Sequence, residues 1–100
     1  MIRHTVVFRL NHQLGSPEEN AFLLKAAELS EIETVRNFEC LRQISKKNSY
    51  TFGLSMEFAS QEDYDFYNNH PDHVAFVEKI WLIEVAEFME IDYSPHSLKS

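Results

Sequence analysis

The chain has 100 residues and a formal net charge of −7. This length suits one domain, residues 1–100, and leaves no room for two. The acidic excess argues against a nucleic-acid partner, because phosphate binding requires a surplus of lysine and arginine. No run of about 20 apolar residues is present, so the sequence predicts no membrane span and no membrane partner. Cys40 is the only cysteine. It cannot form an intrachain disulfide, which favours a cytoplasmic protein.

The first third of the chain predicts a strand and a helix. The segment "IRHTVVFRL", residues 2–10, alternates in polarity as a β-strand does. A helix is predicted over residues 15–35, because Ser16 can cap it, Pro17 suits its first position and Glu19 completes a capping box. The side chains expected to meet between this strand and this helix are His4, Val6, Phe8, Phe22, Ala26, Leu29 and Ile32.

Three further strands and two further helices follow from the same kinds of pattern. Residues 50–58, "YTFGLSMEF", show the clearest alternation in the chain. Pro71 disfavours helical geometry at His70, so one helix should end before His70 and another should begin at Pro71. The pattern does not decide the structure of residues 82–86. The predicted elements are strands over 38–44, 50–58 and 87–93, and helices over 61–69 and from residue 71 onward.

This order of elements, β-α-β-β-α-β, predicts an α+β fold of the ferredoxin-like type. A four-stranded antiparallel sheet in the order 4-1-3-2 would then carry both helices on one face. The opposite face would stay bare in a monomer, so we expect a homodimer that covers it. The residues expected on that open face are Arg3, Arg9, Thr51, Ser55, Glu57, Glu90 and Asp92.

The segment "YNNHPDHVAF", residues 67–76, carries the candidate catalytic side chains. His73 is expected in the first turn of a helix, on its apolar side. Burial and the positive end of the helix dipole both disfavour imidazolium, and a neutral ring is what a general base requires. The alternative is a core histidine that bonds a backbone carbonyl. Tyr67 either presents its hydroxyl to the same space or only packs there, and His70 is expected to cap the helix.

A cavity is expected where this segment meets the first strand. His4 lies among apolar neighbours, so it must find a partner or line a cavity. The spacing between His70 and His73 suits zinc only if both rings converge on one point. No further cluster of metal-binding residues accompanies them. We therefore predict no metal. Nucleotide-binding motifs are also absent, and we predict no cofactor. With Tyr67 and His73 as the catalytic pair, the predicted substrate-contacting residues are His4, Val6, Phe8, Phe22 and Phe76.

Three segments together resemble a known family. The opening "MIRHTVVFRL", the segment "HPDHVAF" and the closing "IDYSP" are similar to the stress-responsive A/B barrel (Dabb) proteins, small members of the dimeric α+β barrel superfamily. The resemblance covers essentially the whole chain. It implies a ferredoxin-like fold in which two subunits join their sheets into a barrel.

The function implied by this resemblance is less uniform than the fold. Many members are stress-associated proteins without an assigned reaction. One enzymatic branch closes linear polyketides by an aldol-type condensation, using the second histidine of HPxH and a tyrosine three residues before the first. Those positions correspond to His73 and Tyr67, and the histidine of the family's first strand corresponds to His4. The cyclase branch carries apolar residues where this chain has Asn68 and Asn69, which favours a smaller or more polar ligand here.

The sequence therefore leaves three functional hypotheses open. The first is a cofactor-independent enzyme, in which His73 removes a proton alpha to a carbonyl, Tyr67 stabilises the enolate and His4 positions the substrate. The second is a non-catalytic dimeric stress-response or binding protein, in which the same residues close a core. The third is a small monooxygenase or haem-binding barrel protein. The expected partners are a second copy of the chain and an unidentified small molecule.

Overall fold

The computed structural model describes residues 1–99. In this part of the chain, helical segments cover one face of a four-stranded sheet, and no helix is long and apolar enough to cross a lipid bilayer. The strands are β1 (Ile2–Leu10), β2 (Arg36–Arg42), β3 (Phe52–Phe58) and β4 (Val85–Tyr93). The helices are α1 (Pro17–Ala27), α2 (Gln61–Asn69), α3 (Pro71–Phe76) and α4 (Leu82–Glu84), with a 3₁₀ turn at Glu28–Glu31 and a π-helical turn at Val77–Trp81.

The sheet has the order β2-β3-β1-β4, and all neighbouring strands are antiparallel. This confirms the predicted ferredoxin-like fold. Strand β1 is central, so that Val6 is aligned with Leu54 on one side and with Glu90 on the other. Side chains at directly opposed positions point to the same face of a sheet. The register therefore identifies which residues of β4 share a face with the buried residues of β1.

The hydrophobic core lies between the sheet and the helices. Phe8 and Phe22 are 0% and 2% exposed, and their ring centroids are 5.7 Å apart. The Trp81 ring completes the cluster, 5.1 Å from that of Phe8. Full burial of one such side chain contributes about 2–3 kcal/mol to folding. The seven side chains expected to meet between β1 and α1 are all buried: His4, Val6, Phe8, Phe22, Ala26, Leu29 and Ile32.

A break separates α2 from α3. His70 adopts extended geometry, with φ −63° and ψ 135°, immediately before Pro71. Its Nδ1 accepts a hydrogen bond of 3.1 Å from the backbone N–H of Asp72. The predicted helix break and the predicted capping role of His70 are thus both present in the structure. The break therefore divides this segment into two short helices, α2 and α3.

The phase of strand β4 differs from the predicted one. We expected Glu90 and Asp92 on the open face of the sheet. They lie on the helix-covered face, because Glu90 is paired with Val6 and Asp92 with His4, and both partners are buried under the helices. The prediction was wrong because both faces of this strand mix polar and apolar residues, so alternation alone does not tell which face is covered.

The open face of the sheet consequently has an apolar centre. One cross-strand row contains Leu41, Gly53, Val7 and Met89, and Ile91 lies beside it. Leu41 and Met89 are each 45% exposed and Ile91 is 37% exposed. The ion pairs that flank this row are Arg3–Glu57, at 2.8 Å, and Arg9–Glu87, at 3.4 Å.

Candidate functional site

A cavity of about 300 Å³ lies between the helix-covered face of the sheet and the segment from α2 to α4. Apolar side chains form most of its wall, and phenol, imidazole and carboxylate groups converge on it. Its volume is at the lower end of the range of small-molecule sites. The lining residues are His4, Val6, Leu29, Leu54, Met56, Tyr64, Tyr67, Asn68, His73, Phe76, Val77, Trp81, Leu82, Phe88 and Glu90.

The helix break brings Tyr67 and His73 together. Tyr67 lies in the last turn of α2 and His73 in the first turn of α3, and their ring centroids are only 4.3 Å apart. The Tyr67 ring also lies 6.2 Å from that of His4. Tyr67 therefore stands between two imidazoles, and all three rings border the same cavity.

The orientation of the His73 ring is fixed by the end of α2. The last carbonyl groups of a helix have no partner within it. One of them, the carbonyl oxygen of Asn68, lies 3.1 Å from Nδ1 of His73. A carbonyl oxygen only accepts, so Nδ1 carries the proton and donates it. In the neutral ring Nε2 then keeps a free lone pair, which is the basic site.

The charge state of His73 is set mainly by burial. The ring is half-buried, and loss of water lowers its pKa below the ordinary value near 6.5. The bond to Asn68 and the negative charge of Glu90 act in the opposite direction, whereas the other histidines nearby lower the pKa further. The net effect favours a neutral imidazole near pH 7. This is the protonation state in which Nε2 can accept a proton.

The Tyr67 hydroxyl is available to a ligand. Tyr67 is 2% exposed, yet within residues 1–99 its hydroxyl makes no hydrogen bond and its oxygen is not sealed from solvent. Buried phenols normally find a partner. Burial, together with the charge of Glu90, raises the pKa of Tyr67. The phenol therefore stays protonated and can donate a hydrogen bond into the cavity.

His4 is held by a triangle of hydrogen bonds. Its Nδ1 lies 2.6 Å from Oδ1 of Asp92 and 2.9 Å from the hydroxyl of Tyr64. That hydroxyl donates to Oδ2 of Asp92 over 2.8 Å. Because carboxylate oxygens accept, Nδ1 of His4 is the donor to Asp92. Burial and the Asp92 charge raise the pKa of Tyr64, so its phenol stays protonated. The triangle fixes the ring of His4 at the cavity wall.

The predicted site residues are placed as follows. His73, Tyr67, His4, Val6 and Phe76 all border the cavity. Phe8 and Phe22 do not border the cavity, so the prediction that they contact the substrate was wrong. Both side chains lie deeper in the core, with 0% and 2% exposure, because the Trp81 ring packs over them at 5.1 and 6.0 Å. Helical and strand periodicity identified their face correctly but not their depth.

Sequence reasoning missed several polar and aromatic groups at the cavity, namely Tyr64, Trp81 and Glu90 on its wall and Asp92 behind His4. Tyr64 lies one helical turn before Tyr67, a spacing that places both on the same side of α2. Glu90 and Asp92 were assigned to the wrong face of β4. Trp81 fell at the end of a predicted helix without a distinguishing pattern. The signal that could have found Asp92 was the unexplained His4, since a buried histidine on a strand needs a partner on a neighbouring strand.

No group of three or more histidine, cysteine, aspartate or glutamate side chains within residues 1–99 is arranged to hold a metal ion. His70 and His73 face different surroundings. His70 caps α3 through its Nδ1, whereas His73 borders the cavity. The two rings therefore have separate places in the fold, and the spacing of His70 and His73 alone does not make a zinc site.

Comparison with known proteins identifies the family. A family model described as the stress responsive A/B barrel domain (Dabb) matches residues 2–95. The chain belongs to the Dabb family. A solved Dabb family protein from Mesorhizobium loti, with a ferredoxin-like fold, is 58% identical, with a TM-score of 0.95, over 96% of this chain and 97% of that one. No curated protein matches the chain significantly.

Two other solved structures share the fold. A dimeric protein of unknown function from Bacteroides fragilis is 25% identical, with a TM-score of 0.68, over 92% of this chain and 93% of that one. A hydroxynitrile lyase from Passiflora edulis is 14% identical, with a TM-score of 0.85, over 99% and 96% of the two chains. At 14% identity the likeness concerns the fold alone. This Dabb chain thus shares its architecture with an enzyme and with a protein of unknown function.

The protonation state of His73 can be measured by NMR. In a pH titration with nitrogen-15 detection, we expect the pKa of His73 to lie below 6.5 and the neutral ring to carry its proton on Nδ1. Because the folded pKa is lower than the unfolded one, the folded state binds fewer protons. His73 therefore costs no stability above its unfolded pKa and an increasing amount as pH falls toward the folded value. A proton on Nε2, or a pKa above 6.5, would contradict this assignment.

Proposed function

We propose that this Dabb protein binds a small carbonyl compound in the cavity and removes a proton from the carbon alpha to the carbonyl without a cofactor. The observation that carries the proposal is the juxtaposition of Tyr67 and His73, with ring centroids 4.3 Å apart on one cavity wall. One ring offers a free basic nitrogen and the other a hydroxyl without a partner among the described residues. Enolate formation needs these two groups together, a base and a donor.

The proposed step begins at Nε2 of His73. This nitrogen takes the alpha proton, so that the C–H bond breaks and an N–H bond forms. The electron pair of the broken bond moves into the C–C bond, and the carbonyl oxygen becomes an enolate oxygen. The Tyr67 hydroxyl donates a hydrogen bond to that oxygen where its negative charge develops. The carboxylate of Glu90 stabilises the imidazolium that results, since its charge raises the pKa of His73.

The proposed role of His4 is to position the substrate. Asp92 and Tyr64 hold its ring through Nδ1, which leaves Nε2 as the atom that can meet a ligand. When Nδ1 carries the proton of the neutral ring, Nε2 accepts a hydrogen bond. A hydroxyl or amine of the substrate suits this position. A protein of the same fold, from Passiflora edulis, is a hydroxynitrile lyase, so the fold supports enzymatic activity in at least one case.

Exchange of alpha protons for deuterium tests the proposed chemistry without knowledge of the full reaction. Small ketones and aldehydes in D₂O are followed by proton NMR with and without protein. We expect His73→Ala to slow the protein-dependent exchange by ~10²–10⁴-fold, the usual contribution of a positioned base. Tyr67→Phe should slow it less, because only the hydroxyl is lost.

The control for this test is His70→Asn. Asparagine can still cap α3, and His70 does not line the cavity. Its exchange rate should equal that of the wild type. If His73→Ala keeps full exchange activity and loses only about 1–3 kcal/mol of unfolding free energy, the histidine is structural and the enzymatic proposal fails.

We also propose that two copies associate through the open face of the sheet. The apolar row with Val7, Met89 and Leu41 would otherwise remain exposed to water. The flanking ion pairs, Arg3–Glu57 and Arg9–Glu87, would form a polar rim around it. The Bacteroides fragilis protein of the same fold is dimeric. A two-fold interface on this face leaves the cavity, on the opposite face of the sheet, open to ligands.

Light scattering at micromolar concentration tests this arrangement. The wild type should have the mass of a dimer. Met89→Lys should weaken association at least about tenfold, because a symmetric interface contains the substitution twice. Ile83→Lys is the matched control, since Ile83 is 67% exposed and lies outside the sheet. A monomeric wild type, or equal weakening by both substitutions, would contradict the proposed interface.

A cytoplasmic location is part of the same proposal. Cys40 is exposed and free, and it is the only cysteine of the chain. Exposed thiols persist in a reducing compartment and tend to be oxidised outside it. The cytoplasm is therefore the compartment that suits this surface.

A further inference from the structure

The cavity has an unusual charge for an apolar pocket. Glu90 belongs to its wall and lies on the helix-covered face of β4, directly opposite Val6 of β1. Two residues further along the same face, Asp92 lies behind His4. The β4 side of the cavity therefore has one carboxyl group on its wall, that of Glu90, and a second, that of Asp92, behind His4.

No lysine or arginine balances Glu90. Within residues 1–99, the cavity wall contains neither residue type, and Glu90 takes part in no ion pair. Asp92 differs, because it is engaged by His4 and Tyr64. Within the described chain, Glu90 is thus the one carboxylate on the cavity wall, and it has no bonding partner there. Glu90 is exposed to solvent, and a ligand that covers it lowers the local dielectric constant, which strengthens the attraction between opposite charges.

Glu90 borders the same cavity as the proposed reaction centre. Tyr67, His73 and Glu90 all line this one space of about 300 Å³, so a single ligand can reach the carboxylate and the Tyr67–His73 pair at once. The charge of Glu90 also raises the pKa of Tyr64, of Tyr67 and of His73. An anionic ligand would meet repulsion at this point, whereas a cationic one would be attracted.

The remaining wall limits the size and the polarity of the ligand. Leu29, Leu54, Met56, Phe76 and Trp81 form its apolar part. At the ~30 Å³ that one water molecule occupies in the liquid, a cavity of about 300 Å³ holds on the order of ten non-hydrogen atoms. The ligand should then have a short apolar body.

We infer that the ligand of this cavity is a small amine that is positively charged at neutral pH, with an apolar body and a carbonyl group within reach of Tyr67 and His73. Its ammonium group pairs with Glu90. The unpartnered hydroxyl of Tyr67 receives the carbonyl oxygen. This inference rests on the proposed function of the cavity as a small-molecule site and names the chemical class of its ligand.

Three probes of similar size and different charge test the inference. Benzylamine, benzyl alcohol and benzoate carry charges of +1, 0 and −1 at neutral pH. Trp81 is the only tryptophan of the chain and lines the cavity, so its fluorescence reports binding there. In the wild type we expect benzylamine to bind most tightly and benzoate least tightly. This order of affinities tests the preference for a cation on the wild-type protein alone, before any residue is substituted.

The role of Glu90 is then isolated with Glu90→Gln, which keeps the size of the side chain and removes its charge. Benzylamine should bind this variant about tenfold more weakly, and benzyl alcohol should be affected less than twofold. Glu78→Gln is the control, because Glu78 is exposed and does not line the cavity. It removes the same charge from the protein, so it should leave the order and the affinities of the probes unchanged.

The outcomes separate this inference from the proposal on which it rests. Binding of benzoate as tight as that of benzylamine overturns the cationic ligand, while the cavity remains a binding site. Equal effects of the Glu90 and Glu78 substitutions also overturn it, since the preference would then reflect the overall charge of the chain. Absence of any saturable Trp81 response to all three probes would contradict the small-molecule cavity itself.

Discussion

The arrangement of the site depends on the interruption between α2 and α3. Pro71 has no N–H and holds the preceding residue out of helical geometry, so α2 must end at Asn69. Ending the helix leaves the carbonyl of Asn68 without a helical partner. The imidazole of His73 donates a hydrogen bond to this carbonyl oxygen. The bond fixes the ring and keeps its proton on Nδ1. One backbone constraint thus determines the orientation, the tautomer and the neighbour of the proposed base.

The same interruption accounts for the position of Tyr67. In a continuous helix, residues six apart point in directions about 120° apart and are separated by ~9 Å along the axis, since successive residues turn by about 100° and rise by about 1.5 Å. Tyr67 and His73 are six residues apart, yet their rings meet at 4.3 Å. The meeting is possible because the chain changes direction between them. A sequence in which this helix continued would carry the same two residues without forming the pair.

The two faces of strand β4 border different parts of the molecule. Its covered face supplies Phe88, Glu90 and Asp92 to the cavity region, and its open face carries Met89 and Ile91. Two acidic residues thus lie on the covered face and two large apolar residues on the open face, although a sheet with one covered face usually keeps its charged residues on the open side. The proposed ligand cavity and the proposed association surface would together account for this arrangement. Asp92 remains partly exposed at the edge of the sheet and bonds His4 and Tyr64 there.

These features explain which parts of the molecule were predictable. The sheet topology and the helix break follow from local chemistry, namely the alternation in β1 and β3 and the restriction imposed by Pro71. Local chemistry does not predict which face of β4 the helices cover. Periodicity shows that the side chains of a strand alternate between two faces, but it does not show which face is buried. The depth of Phe8 and Phe22 was equally hidden, since it depends on the Trp81 ring brought over them by the π-helical turn. The Tyr64–Asp92 bond joins residues 28 apart and has no local signature.

The central claim is that Tyr67 and His73 act on one ligand as a unit. A double-mutant cycle on alpha-proton exchange tests it most directly. If the claim is correct, the variant with both His73→Ala and Tyr67→Phe is little slower than His73→Ala alone, because the hydroxyl has no enolate to stabilise once the base is gone. If the two losses multiply as independent factors, the residues do not act together and the account is contradicted.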